Sequence, residues 1–317
     1  MTFEADPIVA IVGPTGSGKS DLALRIAREF SGEVVNCDSL QVYRSFNIGT
    51  AKLPPAERQG VPHHLIDVLD PQEVFTAGEY ARWARIAIAG IAGRGHLPVV
   101  AGGTGFYLRA LLEGLFPGPK RNERLRASLA RRESRYPGWL HRFLARYDPA
   151  SAVRIHTSDV QKLIRACEIL LIERRPLTEL FNQGRDRLEG YRTLKLGIDP
   201  PREALYGRIN ARCERMFGSG LIEEVQGILS AGHPPTSKPF GSVGYKEALA
   251  LVRGELDLAA AVELAQRSTR RYSKRQQTWF RRDPEIVWLK GFGGDPAVER
   301  AALELVHAFL KGVQRIA

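Results

Sequence analysis

An α/β fold, with a parallel sheet flanked by helices and an all-helical domain inserted into it, is predicted by three features of the 317-residue sequence. Strand-length apolar runs alternate with helix-length segments, the pattern of a parallel sheet. A glycine-rich segment, Gly13 to Ser20, stands between the first run and the first helix. Between about Pro117 and Gly190 the strand-like runs stop and charged, helix-forming sequence takes over.

In chain order, Ile8–Val12 reads as the first strand and Asp21 to Phe30 as the helix that follows it. Val34–Cys37 is the second strand, Ala77 to Ala92 a helix, and Val99–Ala101 the third strand, each strand having a glycine or turn residue close by. Thr193–Ile198 resumes the sheet and Asp199-Pro200-Pro201 ends that strand, because proline cannot continue a ladder. A helical pattern then runs to Trp279, and Ile286–Leu289 suits an edge strand. The expected organisation is a first part of the core over 1–116, a helical insertion over 117–190, and core completion with basic C-terminal helices over 191–317.

Composition narrows the function classes. A content of 44% hydrophobic residues permits a real core, and 46 Lys+Arg against 35 Asp+Glu leaves a net charge of +11, which suits a polyanionic partner. Met1 to Pro7 carries two acids and no basic residue, so no signal peptide is expected. The longest apolar stretch, Ile86 to Ala92, falls far short of the ~20 residues that cross a bilayer. Cys37, Cys167 and Cys213 are far apart and lack C-x-x-C spacing, which fits a reducing cytoplasm. A soluble protein without membrane contact, acting as a monomer, is the simplest expectation.

Residues Gly13, Pro14, Thr15, Gly16, Ser17, Gly18, Lys19 and Ser20 match the G-x-x-x-x-G-K-[ST] phosphate loop between a strand and a helix. Such a loop converges backbone N–H groups on phosphate oxygens; Lys19 adds a charge, and the Ser20 hydroxyl is placed to hold Mg²⁺. The loop alone does not distinguish ATP, GTP or a diphosphate ester. A P-loop ATPase or GTPase usually has an Asp at the end of an apolar strand, but Leu97–Ala101 runs into Gly102-Gly103-Thr104-Gly105. The nearest strand-end carboxylate is Asp38, after Val34-Val35-Asn36-Cys37. In a doubly wound sheet Asp38 and Thr104 should both face the phosphate loop; the plainer reading of Asp38 is a turn or helix cap.

Eight ordered blocks carry a resemblance. GPTGSGKS at 13–20, DSLQVY at 38–43, NIGTAKL at 47–53, HHLIDVLDP at 63–71 and GGTGFYLRALLEGL at 102–115 are followed by DVQKLIRACEI at 159–169, GSVGYKEAL at 241–249 and KRQQTWFR at 274–281. Together they resemble the tRNA dimethylallyltransferase family, over some 270 residues. The resemblance implies a P-loop NTPase-like fold in which the loop binds the diphosphate of dimethylallyl diphosphate, with Mg²⁺ on Ser20, and tRNA is the second substrate. It makes Asp38 the general base toward the exocyclic amine of the adenosine 3′ of the anticodon, and Thr104 a polar contact near the donor's oxygens. Arg212 matches the diphosphate-contacting arginine, although Arg208 and Arg215 flank it and sequence separates the three poorly. The tRNA contacts implied are Asp38, Ser39, Leu40, Gln41 and Thr104, then Arg126, Gln161, Lys162, Leu163, Ile164 and Arg165 in the insertion, then Gly244 and Lys246. Lys162 departs from the arginine usual there and gives up its planar fork.

The nucleic-acid side also has support from residue patterns. From Lys120 to Arg146, nine basic residues stand against only Glu123 and Glu133. Arg267, Arg270, Arg271, Lys274 and Arg275 fall on one helical stripe, with Arg281 and Arg282 beyond it and Tyr272, Gln276 and Trp279 beside it. A phosphate-tracking face bordered by aromatics suits RNA; in isolation a solvated helix face explains it as well, as surface salt bridges explain Arg126 and Arg165. His63 and His64 are adjacent and point apart, a poor metal pair.

Three rival functions remain at this stage. A small-molecule P-loop kinase would turn over ATP without tRNA. A free-nucleotide isopentenyltransferase would not need residues 118–188. An RNA-binding module with a merely structural loop would keep its function after Asp38→Ala.

Overall fold

The computed structural model describes residues 5–182 and 184–312; the Met1–Glu4 part of the acidic N-terminus lies outside them. The α/β unit comprises the chain up to Leu112 and from Leu188 onward. Its strands are β1 (Asp6–Val12), β2 (Gly32–Asn36), β3 (His63–His64), β4 (Leu97–Ala101), β5 (Tyr191–Asp199) and β6 (Ile286–Lys290). They form one sheet in the order β3-β2-β4-β1-β5-β6, and every neighbouring pair is parallel. The helices of this unit are α1 (Lys19–Glu29), α2 (Ala77–Gly93) and α3 (Gly105–Leu112) before the insertion. The insertion supplies α4 (Glu123–Arg135), α5 (Trp139–Tyr147), α6 (Pro149–Arg154), α7 (Val160–Glu173) and α8 (Leu177–Asn182). After it come α9 (Arg202–Gly218), α10 (Leu221–Ser230), α11 (Tyr245–Val252), α12 (Leu258–Phe280) and α13 (Pro296–Leu310).

Ile8 to Val12 of β1 and Leu97–Ala101 of β4 are apolar because both faces of the sheet are covered there. Val9, Ile11, Val34, Val99, Leu196 and Ile198 meet Leu22 and Ile26 of α1 and Val298, Ala302 and Val306 of α13 in one buried cluster. Each of the Val, Leu and Ile side chains among them contributes about 1.5–3 kcal/mol on full burial. Helix α2 begins where a capping box allows it: Glu79 N–H donates to Thr76 Oγ1 (3.2 Å) while Thr76 N–H donates to Glu79 Oε2 (2.9 Å). Leaving β1 the chain turns to β2 on one side, whereas after β4 it returns to β5 on the other side of β1. The loops after β1 and β4 therefore part at the carboxyl edge, which opens a crevice there.

The predicted sheet and its edge strand at Ile286 are the ones observed. β3 was not foreseen, since two residues carry no alternation. It is anchored by a buried carboxylate: Glu33 accepts from His64 Nε2 (2.6 Å), His96 Nδ1 (2.7 Å) and both terminal contacts of Arg94 (2.9 and 2.8 Å). Burial alone would raise the Glu33 carboxyl, but the hydrogen bonds from Arg94, His64 and His96 outweigh it and hold it at about 2.

Residues Glu113–Arg187 form a separate compact unit made of helices, a few residues N-terminal of the 117–190 read from sequence. Its core gathers Leu129, Leu140, Leu144, Leu163, Ile164, Cys167 and Ile169.

Candidate active site

The phosphate loop joins β1 to α1 with Gly16 and Gly18 left-handed (φ 81° and 86°), a backbone that other residues adopt only with strain. Gly18 is the N-cap of α1 and sits against the turn between β6 and α13. Gly293 N–H donates to Ser17 O (2.8 Å), and a Cβ on Gly293 would stand 2.1 Å from Gly18 O. Lys19 folds back to donate to Pro14 O (2.7 Å). Burial drives Lys19 down from its ordinary 10.5 to about 8, with Asp38 opposing and Arg212 adding to the effect.

A cavity of about 650 Å³ opens over this loop. Thr15, Gly16, Gly18, Lys19 and Ser20 form its floor, and Asp38, Gln41, Arg208, Arg212 and Arg215 stand on its walls. Gly13, Pro14 and Ser17 of the motif lie behind the wall, with Ser17 fully buried. All three arginines of α9 reach the cavity, but they differ. Arg208 is engaged by Asp21 (3.8 Å) and lies over the Phe292 ring (5.0 Å), and Arg215 is exposed. Arg212 is half-buried; burial lowers its pKa, partly offset by Asp38, and it also lines a second cavity.

That second cavity, about 390 Å³, is more apolar, with Leu40, Ile209, Cys213, Met216, Phe217, Leu221 and Val243 on its walls. Thr15, Asp38, Thr50, Arg212 and Met216 line both cavities. Asp38 does act as a turn cap, since its Oδ1 accepts from Leu40 N–H (2.8 Å). Its backbone is held by Asn36, whose Oδ1 accepts from Asp38 N–H (3.0 Å) and whose Nδ2 donates to Asp38 O (3.1 Å). No group among the described residues donates to Oδ2, so capping and proton acceptance are compatible roles for one carboxylate.

Several residues read from the sequence are placed differently from expectation. Thr104 does not line either cavity; its hydroxyl accepts from Ser39 N–H (3.1 Å) and donates to Ser39 Oγ (3.4 Å), so it braces the Asp38 turn. Ser39 and Leu40 line the second cavity with Gly244, whose N–H is capped by Glu247 (2.8 Å). Gln41 spends its amide on Thr50 O (3.1 Å), and Lys246 lies off both walls beside Glu247 (3.4 Å).

In the helical unit, Arg126 and Arg165 converge on the buried Glu168 (3.1 and 2.8 Å), and Arg126 also reaches Gln161 (3.3 Å). Glu168 Oε1 takes Asn122 N–H (2.6 Å) as well. Lys162 is exposed beside Asp159. Leu163 and Ile164 face the core of the unit, which removes their side chains from any RNA contact.

Sequence reasoning missed the strut between the two glycine loops. Gln276, set beside the basic stripe by sequence, is 5% exposed: its Oε1 accepts from Thr15 N–H (2.8 Å) and its Nε2 donates to Gly103 O (2.9 Å). Tyr272 likewise turns into the second cavity, where burial and the Asp38 charge raise its phenol above the ordinary value. The outward face keeps Arg271, Lys274, Arg275 and Arg282 around Trp279, which is 39% exposed and packs edge-on to Phe106 (6.4 Å).

A family model described as IPP transferase matches residues 41–283. A tRNA dimethylallyltransferase of Solibacter usitatus is 61% identical over 304 residues, covering 96% of this chain and 99% of the relative. The chain belongs to the tRNA dimethylallyltransferase family. Among solved structures of the family, the full-length tRNA isopentenylpyrophosphate transferase of Bacillus halodurans is similar at a TM-score of 0.70 and 35% identity, covering 97% of this chain and 96% of that one. A eukaryotic dimethylallyltransferase acting on tRNA is similar at 0.84 and 26% identity, over 99% of this chain and 81% of that one. The phosphate-loop cavity and the apolar cavity share walls at Thr15, Asp38, Thr50, Arg212 and Met216.

Proposed function

We infer that this protein transfers the dimethylallyl group of dimethylallyl diphosphate to the exocyclic amine of the adenosine 3′ of the anticodon in tRNA, giving isopentenyladenosine and diphosphate. The observation that carries this reading is the placement of Asp38, whose Oδ2 receives no donor from the described residues, where a phosphate-loop cavity and an apolar cavity share walls. The amine nitrogen bonds to the allylic carbon as the carbon–oxygen bond to diphosphate breaks. The nitrogen then carries positive charge, and its proton passes to Asp38. Negative charge gathers on the departing diphosphate, where the loop amides, Lys19 and Arg212 lie.

Mg²⁺ suits this arrangement in part. Ser20 is exposed on the cavity floor, and among the described residues no three His, Cys, Asp or Glu side chains form a cation cage. Ser20 and the donor's own oxygens would hold the ion, which would neutralise leaving-group charge.

On the RNA side, Ser39, Leu40 and Gly244 line the path to Asp38, and the exposed Lys162 and the stripe of α12 supply phosphate contacts. The target base must be extruded from its stack, at a cost of a few kcal/mol that these contacts recover. Arg126 and Arg165 would act as a pair oriented by Glu168. The protein works as a cytoplasmic monomer in this reading. Its three cysteines are free, and among the described residues no helix is long and apolar enough to cross a membrane.

Incubation with labelled dimethylallyl diphosphate and unmodified tRNA, followed by nucleoside analysis, tests the proposal. Label is expected on one adenosine per tRNA. Transfer to free adenosine nucleotides, or consumption of ATP in place of the prenyl donor, would overturn it.

A further inference from the structure

The wall of the phosphate-loop cavity includes a stretch with no strand or helix of its own. Ile48, Thr50, Ala51 and Leu53 line that cavity, and Gly49 and Thr50 line the apolar one, within the long connection from β2 to β3. Its own residues close part of the turn, with Ala51 N–H donating to Ile48 O (2.9 Å) and Lys52 N–H to Asn47 O (3.0 Å), and the amides left over need partners from outside. Here the partners are two side chains that neither cavity uses. Glu224, in the first turn of α10, accepts Asn47 N–H (3.0 Å) and Ile48 N–H (3.0 and 3.2 Å). Tyr245, the first residue of α11, donates its hydroxyl to Glu224 and accepts Gly49 N–H (3.1 Å).

Three consecutive amides thus converge on one carboxylate and the phenol bound to it, the arrangement by which backbone nests hold anions. Packing reinforces the polar contacts. The Tyr245 ring is fully buried edge-on against Phe46 (4.7 Å), and it lies so close to Gly49 that a Cβ there would stand 2.4 Å from it. On the far side of the turn, Gln41 donates to Thr50 O, and Lys52 donates to Asn47 Oδ1 (2.9 Å) and Asp67 (2.6 Å).

We propose that Glu224 and Tyr245 are positioning residues that fix the Asn47–Lys52 turn as the donor-side wall, and so set the fit of the prenyl diphosphate. The inference rests on the reading that the donor occupies the phosphate-loop cavity. Tyr245→Phe is the sharpest probe because it keeps the buried ring and removes only the hydroxyl that joins Gly49 to Glu224. It is expected to raise KM for dimethylallyl diphosphate about tenfold, by loosening a preorganised wall, with kcat within about threefold of wild type. Glu224→Ala should do more, and Glu224→Gln, which retains an acceptor oxygen, less. The affinity for tRNA should change less than the donor KM, since the turn meets the apolar cavity only through Gly49 and Thr50. Relaxation of the wall should also raise the use of geranyl diphosphate relative to dimethylallyl diphosphate in both Tyr245→Phe and Glu224→Ala.

A lower melting temperature with unchanged donor KM and unchanged donor preference in Tyr245→Phe and Glu224→Gln would overturn the proposal, leaving the pair a purely structural role. Donor binding by the wild type, measured calorimetrically, separates the two layers. Binding that is indifferent to Lys19→Met overturns the cavity assignment itself; binding that needs Lys19 but ignores Tyr245→Phe overturns the clamp alone.

Discussion

Replacing Asp38 with asparagine is expected to lower kcat for prenyl transfer by roughly 100- to 10,000-fold, the range for loss of a positioned general base. Asparagine is nearly isosteric, and its side-chain oxygen still accepts Leu40 N–H, so the turn that carries residue 38 persists. What disappears is the acceptor at Oδ2, for which the described residues offer no donor and which borders both cavities. Donor binding should survive, because the diphosphate contacts come from the loop, Lys19 and Arg212. Single-turnover rates at saturating donor and tRNA measure this effect. A rate within about threefold of wild type would mean that the proton leaves to solvent and that Asp38 is only a turn residue.

Loss of the Lys19 charge should cost nearly as much. Lys19→Met is expected to reduce kcat by roughly 100- to 1,000-fold, as for removal of a preorganised group facing developing negative charge, and to weaken donor binding. The wild-type enzyme should also show a pH dependence that the variant lacks. Burial sets Lys19 at about 8 in the free protein, and diphosphate selects the charged form. Donor affinity should therefore be level below pH 8 and fall as pH rises through it, with proton uptake on binding above that point. The sign for folding is the reverse: a lysine whose folded pKa is depressed disfavours the folded state while it is charged. Its contribution to stability should improve between pH 8 and the ordinary lysine value of 10.5. Calorimetric titration of the donor at several pH values, in buffers of different ionisation enthalpy, checks the uptake.

The parts of the site legible in the sequence are those made by contiguous residues. The phosphate loop can be read because its glycines, Lys19 and Ser20 are adjacent and a buried apolar run precedes them. Asp38 was visible at a strand end for the same reason. Contacts between distant segments were harder. Gln276 meets Thr15 across 261 positions and Gly103 across 173, so neither partner could be named from spacing. Its burial was nevertheless open to periodicity, since it falls in phase with Ala261, Ala265, Ser273 and Phe280 on the inner face of α12.

Of the basic stripe on that helix, Arg271, Lys274 and Arg275 face outward while Arg270 turns to Asn210 (2.5 Å), and Tyr272 and Gln276 beside it point inward. In the insertion the Arg165–Glu168 pair has helical spacing and was readable, whereas Arg126 joining the same carboxylate was not. Resemblance put Thr104 near the donor's oxygens, and its contacts to Ser39 across 65 positions were not readable from spacing. The Glu224 and Tyr245 clamp left no local trace, because each side chain serves a loop about 180–200 positions away.

In the proposed reaction one pocket seats a prenyl diphosphate while Asp38 faces an extruded adenine. The most direct measurement is a crystal structure of the protein with an unreactive thiolo analogue of dimethylallyl diphosphate and an anticodon stem-loop. The predicted result is a diphosphate on residues 13–20 with the adenine amine within hydrogen-bond reach of Asp38 Oδ2. A donor bound elsewhere, or an adenine whose amine points away from Asp38, would contradict it.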